Sequence, residues 1–306
     1  MTNADPVLVI KLGALGDFVQ ALGPFAAIRK YHEQASLVLL TTAPYLPIAE
    51  ASGYFDAIRS DGRPEWWKWT GKRSLRTWLR DLAPTRVYDL QTSARSSGFY
   101  RLFGPPRPEW SGIATNCSHP HDNPARDDMH TIERQREQLK VAGIMDVPSP
   151  DLDWLDADTT RFPLPQRYVL LAAGGAVHRP EKRWPAFAQL ATALAARALT
   201  PVLLGTVAER DVTTSIRETC PAAIDLTGRT SLLEIAGLAR RAAGAVGNDT
   251  GPMHLIAATG CPSVVLYSHA SDPALCAQRG PDVRIIRKAS LSELSTEEVE
   301  AQLTLR

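Results

Sequence analysis

The sequence predicts an α/β protein built from two doubly wound, Rossmann-like domains. Three observations carry this. Short β-rich runs alternate with helix-length segments, which indicates parallel sheets. The alternation stops near residue 147 and restarts near residue 167. Between Val147 and Pro165 lie Pro148, Pro150, Pro163 and Pro165 with Asp151, Asp153, Asp156 and Asp158, a polar, proline-rich stretch of the kind that separates domains. The domains are therefore read as 1–150 and 167–306, joined by a linker over 151–166.

In the first half, Val7 to Ile10 reads as a strand. Asp17 to Tyr31 reads as a helix, with Phe18, Ala21, Leu22, Phe25 and Ile28 at helical spacing. Leu37 to Leu40 and Arg86 to Leu90 are further strands, and Tyr45 to Ser52 is a helix closed by Gly53. Met129 to Ala142 is a charged amphipathic helix. In the second half the predicted strands are Tyr168 to Ala172, Pro201 to Leu204, Ala222 to Leu226, Ala243 to Val246 and Ser263 to Tyr267. The predicted helices are Pro185 to Arg197, Glu209 to Thr219, Ser231 to Arg241, Pro252 to Thr259 and Thr296 to Leu303. Ligands of such sheets bind beyond the carboxyl ends of the strands, in the cleft between domains.

Composition narrows the classes. Lysine plus arginine number 34 and aspartate plus glutamate 33, a net charge of +1 that argues against a globally basic nucleic-acid binder. Hydrophobic residues make up 44% and charged residues 22%, near the globular average. No apolar run approaches the roughly 18–20 residues of a membrane span, and the N-terminal apolar stretch lacks the basic lead of a signal peptide. Cys117, Cys220, Cys261 and Cys276 are widely spaced with no C-x-x-C, as expected of reduced thiols in a cytoplasmic protein.

Several loops after strands carry chemistry. Lys11-Leu-Gly13-Ala-Leu-Gly16-Asp17 follows the first strand, and its glycines let backbone approach a ligand. Asp17 stands at the start of a helix, where on position alone capping is the stronger explanation. The glycine spacing matches neither a dinucleotide-binding fingerprint nor a P-loop. Gly247-Asn-Asp249-Thr250-Gly251-Pro252-Met-His254 follows a buried strand, and Pro252 suits a first helical turn. The Thr250 and Gly251 amides would then point out of a helix N-terminus, a site suited to a diphosphate. Asp249 could accept from sugar hydroxyls, although a capping turn explains Asp249-Thr250 equally well. Gly174 and Gly175 offer backbone donors, and Lys182, Arg179 and Arg183 offer positive charge toward phosphates. Glu209 could hold ribose hydroxyls; an exposed helix glutamate is the plain alternative.

These motifs, with Lys182-x-Trp184-Pro185 and Thr227-Gly228, resemble the bacterial heptosyltransferase family, glycosyltransferase family 9, over nearly the whole chain. The block Asn-Asp-Thr-Gly-Pro-Met-His is the most specific part. The resemblance implies a GT-B fold with the acceptor on the N-terminal domain and a nucleotide sugar, ADP-heptose, mostly on the C-terminal one. It implies inverting transfer to a lipopolysaccharide core or other glycan, with Asp17 as catalytic base. Gly16, Gly174, Gly175, Lys182, Glu209, Asp249, Thr250, Gly251 and His254 become donor-binding candidates: Lys182 on the phosphates, Glu209 on the ribose, Asp249 on the transferred sugar, Thr250 and Gly251 on the diphosphate. The chain departs from the pattern at Gly13-Ala14, where hydroxyl residues are common, and at Ser268-His269-Ala-Ser-Asp-Pro273, where a glycine-containing turn is common. A family member with another nucleotide sugar, or a catalytically silent sugar-nucleotide-binding protein, are the alternatives.

No cofactor and no metal are expected. Asp151-Leu-Asp153 and Asp156-Ala-Asp158 imitate a metal-binding D-x-D but lie in the linker, and His119, His121 and His130 lack a ligand pattern. Arg59 to Arg80 holds seven basic and two acidic residues, interleaved with Trp66, Trp67, Trp69 and Trp78. Such a segment suits an anionic membrane surface or an acidic acceptor; a solvated helix with buried tryptophans is the plain alternative. Arg63, Lys68, Lys72, Arg73 and Arg95 are the acceptor-binding candidates. The expected partners are a nucleotide-sugar donor, a lipid-linked or core oligosaccharide and a peripheral membrane contact at the cytoplasmic face, with no nucleic acid.

Overall fold

The computed structural model describes residues 5–61, 69–149, 152–176 and 178–306. The chain divides into two compact units, Met1–Asp151 and Leu152–Arg306. Among the described residues each unit holds one parallel sheet. The first contains β1 (Pro6–Ile10), β2 (Ser36–Thr41), β3 (Ala57–Ser60), β4 (Arg86–Asp89), β5 (Glu109–Gly112) and β6 (His119–Pro120), in the order β3-β2-β1-β4-β5-β6. The second contains β7 (Tyr168–Ala172), β8 (Thr200–Leu203), β9 (Ile224–Asp225), β10 (Gly244–Asn248), β11 (Ser263–Tyr267) and β12 (Val283–Arg287), in the order β12-β11-β10-β7-β8-β9. Read from its other edge, the second order repeats the first. Both are the doubly wound arrangement the alternating pattern predicts.

Burial follows from that arrangement. β7, β10 and β11 are buried at every position, as strands covered on both faces must be. In the first unit Leu8, Ile10, Leu40, Val87 and Trp110 form a core with Leu75 and Leu79 of the helix Trp69–Leu82. In the second, Val169, Leu171, Leu203, Val246, Val264 and Leu266 form another with Trp184 and with Phe187, Leu190 and Leu194 of the helix Phe187–Ala196.

Register places the loops. Winding reverses between β1 and β4 in one sheet and between β7 and β10 in the other, and ligands of such sheets bind beyond the strand ends at that reversal. Ile10 pairs with Asp89, so the chain leaves β1 at Lys11 beside the exit from β4 at Leu90. Ala172 pairs with Gly247, so Ala173 and Asn248 emerge side by side.

Three local differences have physical causes. The single helix expected over 17–31 is two helices, Leu15–Gln20 and Leu22–Tyr31. Pro24 has no N–H to donate back to Gln20, so the ladder breaks there. The stretch 152–166 is packed on the second unit: Leu152, Leu155 and Phe162 are buried, Arg240 donates to the Leu152 and Leu155 carbonyls, and Arg161 pairs with Glu234. Strands β3, β5, β6 and β12 have no counterpart in the predicted set, and they are the short or half-exposed members of their sheets.

Candidate functional site

In the first unit the loop after β1 enters the helix Leu15–Gln20 with Ala14 at its N-cap. Asp17 is therefore the third helical residue rather than the cap. Its Oδ2 accepts the Ala14 N–H at 3.3 Å, the reciprocal half of a capping box. The carboxylate is partly exposed. Gly13 has φ +124°, and a Cβ there would meet the Tyr45 ring at 2.8 Å, so this approach to the helix requires glycine.

Charge surrounds Asp17. Lys11 is buried, and its Nζ donates to the Leu90 carbonyl at 3.0 Å, bridging the two loops at the reversal point. Burial lowers the Lys11 pKa; Arg134 adds to that, while Asp17 and Asp89 oppose it. Asp89, fully buried, is raised to about 6 by desolvation despite bonds from the Ser97 hydroxyl and the Gln91 and Thr92 N–H groups. Burial likewise lowers Arg134, which also feels the charge of Asp17.

The acceptor candidates are placed unevenly. Arg63 and Lys68 lie outside the described residues, as do Trp66 and Trp67, and the described part of Lys72 and Trp69 is backbone in the helix Trp69–Leu82. Arg73 and Arg76 are exposed on that helix, and Leu75 and Leu79 are buried. The Arg59 guanidinium stacks over Trp78 at 4.6 Å. Arg95, on the helix Ala94–Gly98, donates to Asp61 Oδ2 at 2.5 Å; the Asp61 side chain is 0% exposed and that of Arg95 43%. Arg95 thus neutralises a buried carboxylate while part of it still faces solvent. His130 caps the helix Thr131–Val141 by accepting the Ile132 N–H, and buried His121 lies 3.4 Å from Glu137.

The second unit gathers most of the donor candidates. Thr250 is the extended N-cap of the helix Gly251–Ala258, with Pro252 in the first turn. The Thr250 side chain makes no cap bond, and its Oγ1 is buried with no partner among the described residues. Such a hydroxyl is costly unless something else satisfies it. Lys182 Nζ meets Asp249 Oδ2 at 2.6 Å, with side chains 14% and 8% exposed. Burial would raise the Asp249 carboxyl. The bonds from Lys182 and Ser271, with the charges of Lys182 and His254, outweigh burial and hold it below the usual range. His254 is buried one turn into the same helix.

Glu209 closes the short 3-10 turn Val207–Glu209 after β8, and its Oε2 accepts the Thr206 N–H at 2.7 Å. Its carboxylate lies over Gly174: a Cβ there would fall 1.7 Å from Glu209 Oε1. Gly175 runs beside Thr250, whose Cγ2 would be 3.9 Å from a Cβ on that glycine. Lys182, Glu209, Gly174, Gly175 and Asp249 through Gly251 therefore form one cluster at the ends of β7, β8 and β10. Gly16 lies in the other unit, beside Asp17.

Three residues in this cluster carried no role from the sequence. Asn248, fully buried, accepts the Trp184 N–H at 3.0 Å and donates to the Ala173 and Gly174 carbonyls at 2.9 and 3.0 Å, tying both ends of the connection after β7 to the end of β10. Ser271 and Gln278 hold the Asp249 carboxylate. Asn248 stood inside the recognised motif. The other two are 22 and 29 positions from Asp249, and no local pattern reports so distant a contact.

Two doubly wound units in one chain, with a polar cluster at the reversal point of each sheet, define a GT-B type α/β protein. Solved structures agree on the fold. E. coli heptosyltransferase WaaC with ADP is 21% identical with TM-score 0.79, covering 97% of this chain and 98% of its own. A family 9 glycosyl transferase from Veillonella parvula is 18% identical with TM-score 0.82, covering 98% of both. The family model for glycosyltransferase family 9 (heptosyltransferase) matches residues 72–303, and the chain belongs to that family. Among curated relatives, lipooligosaccharide heptosyltransferase 2 of Haemophilus influenzae is 32% identical over 115 residues, a match that spans 35% of this chain and 33% of the relative.

Proposed function

We propose that this protein is an inverting glycosyltransferase that moves a heptose from ADP-heptose to a lipopolysaccharide core or other glycan. The C-terminal domain, 167–306, would hold the nucleotide sugar and the N-terminal domain, 1–150, the acceptor, with 151–166 joining them. Membership of family 9 supports the class of reaction, and a similar heptosyltransferase solved with ADP-2-deoxy-2-fluoro heptose supports the class of donor. The observation that carries the reading is the cluster after β7, β8 and β10: a helix N-terminus with an unsatisfied buried hydroxyl, a lysine beside it and a carboxylate over a glycine. That set fits a diphosphate flanked by a ribose and a sugar.

In the reaction the acceptor hydroxyl attacks the anomeric carbon from the face opposite the diphosphate. The carbon passes through an oxocarbenium-like state and inverts. Asp17 takes the hydroxyl proton as the new bond forms. The departing diphosphate gains negative charge, which the Thr250 and Gly251 N–H groups, the Thr250 hydroxyl and Lys182 stabilise. Lys182 is paired with Asp249, so a bound diphosphate would share or take over that cation. Asp249 and His254 then face the sugar, Glu209 the ribose hydroxyls, and Gly174, Gly175 and Gly16 let backbone lie close to the ligand. This scheme gives no role to a metal or a cofactor.

On the acceptor side, Arg63, Lys68, Lys72, Arg73 and Arg95 would meet carboxylates or phosphates of a core oligosaccharide. The basic face of the helix Trp69–Leu82 suits peripheral contact with an anionic leaflet at the cytoplasmic side. Among the described residues no helix is long and apolar enough to cross a membrane. The test is ADP release from ADP-heptose with acceptor present, wild type against Asp17→Ala. Unchanged turnover removes Asp17 from its role. A thermal-shift panel of nucleotide sugars tests the donor, since a ligand of the native state raises its stability; a preference for UDP or GDP sugars overturns ADP-heptose.

A further inference from the structure

Three side chains hold Asp249 in the second unit's cluster, and its two oxygens are held differently. Oδ2 accepts from Lys182 Nζ at 2.6 Å and from Ser271 Oγ at 2.8 Å. Oδ1 accepts from Gln278 Nε2 at 3.2 Å. The Gln278 amide is itself fixed, because its Oε1 accepts the Tyr267 O–H at 2.9 Å. Gln278 and Tyr267 are both buried, and Tyr267 ends β11 next to β10. A chain of bonds thus runs from the sheet through Tyr267 and Gln278 to the carboxylate. Burial pushes the Tyr267 hydroxyl pKa up, which keeps it protonated as a donor.

We infer that Gln278 and Ser271 are positioning residues that hold the Asp249 carboxylate in place for the transferred sugar when Lys182 turns to the donor diphosphate. This rests on the donor-site reading above. The reasoning is a count of lone pairs. A carboxylate has about four acceptor positions. With Lys182 in place, Oδ2 is filled and Oδ1 keeps one position for a sugar hydroxyl. When Lys182 is drawn toward phosphate, Oδ2 regains a position. Without Ser271 and Gln278 the carboxylate would then be buried with no donor on either oxygen, free to rotate and poorly solvated. With them it stays oriented, and each oxygen offers one lone pair to the sugar. Ser271 lies in the turn Ser268–Pro273, where the chain departs from the family pattern, so this turn supplies one of the two clamping side chains.

The test separates sugar recognition from general integrity. Affinities for ADP and for ADP-heptose are measured by calorimetry on wild type, Gln278→Leu, Ser271→Ala and Asp249→Asn. The expected result is that Gln278→Leu loses about tenfold in ADP-heptose affinity, that Ser271→Ala loses less in the same direction, and that both bind ADP within about twofold of wild type. In kinetics with saturating acceptor, KM for the donor rises more than kcat falls. Equal weakening of ADP and ADP-heptose shows a merely structural role and overturns the inference, as does unchanged ADP-heptose affinity in both variants. Ser271→Ala, at a partly exposed position, keeps the question decidable if Gln278→Leu does not fold. Asp249→Asn reports on the parent reading: if it leaves the advantage of ADP-heptose over ADP intact, Asp249 does not hold the sugar, and the donor-site reading falls independently of the clamp.

Discussion

Replacing Asn248 tests how the second unit's loops are held. Its side chain is fully buried and makes three bonds, one to the Trp184 N–H and two to the Ala173 and Gly174 carbonyls. Asn248→Ala strips all three partners at once. A buried backbone group left unsatisfied costs about 1–3 kcal/mol. Carbonyls keep a second lone pair and the vacated space admits a water, so the expected loss is about 3–4 kcal/mol. For a domain of this size that lowers the melting temperature by about 7–14 °C. Asn248→Asp is the sharper change. It preserves the Trp184 bond but sets an ionised oxygen against two carbonyl oxygens, which raises the new carboxyl's folded pKa above its unfolded value. The variant should therefore lose stability as pH rises through that folded pKa and recover at lower pH, relative to wild type. Scanning calorimetry at about pH 5 and about pH 8 measures both effects. A loss below about 1 kcal/mol for Asn248→Ala, or an Asn248→Asp variant with wild-type stability at about pH 8, would refute the assignment of these bonds as the tie between the loops.

Further expectations follow the same geometry. Asp17→Asn keeps an oxygen for the Ala14 N–H but cannot take a proton, so turnover should fall by about 10²–10⁴ with the melting temperature little changed; steady-state ADP release checks it. Gly174→Ala forces the Glu209 carboxylate aside, since the new Cβ would sit 1.7 Å from its Oε1. It should cost about 10- to 100-fold in kcat/KM for the donor, and unchanged kinetics would take Glu209 out of the ribose site. The first unit carries two opposed pH effects. Burial raises Asp89 to about 6, so its native form holds the extra proton, and stability falls as pH rises from about 4 to about 6. Burial lowers His32 to about 4, with Arg86 and Arg29 adding to it, so stability falls as pH drops from about 6.5 to about 4. Asp89→Asn should remove the first slope and expose the second, which melting of the first unit across that range would reveal.

What the sequence made legible was whatever is local. Tyr168–Ala172 and Ser263–Tyr267 are continuous apolar runs because both faces are covered, and they were readable end to end. The edge strands were not. In β12, Val-Arg-Ile-Ile-Arg, no residue is fully buried, and β6 is only His119–Pro120, so neither offers a core-strand pattern. The helix over 17–31 kept its apolar periodicity across the break at Ala21; Pro24 was the available sign of it. Among the donor candidates, glycines and charged residues at successive strand ends marked Gly174, Lys182, Glu209 and Asp249. Which of them touch is a tertiary fact: the stacking of Glu209 over Gly174 and the Lys182–Asp249 pair depend on strand register. Ser271 and Gln278 were silent because a serine and a glutamine in a polar loop look like any others until β11 places them beside Asp249.

Each sheet is wound the same way, and each unit has an apolar interior of its own. Severing the chain near residue 151 and producing the halves separately would therefore ask whether each folds unaided. On the proposed donor site, a C-terminal fragment made this way would bind the nucleotide sugar but lack Asp17. Supplied in excess, it would then compete with an intact copy for that donor, and no such competition is expected if the donor site is assigned wrongly.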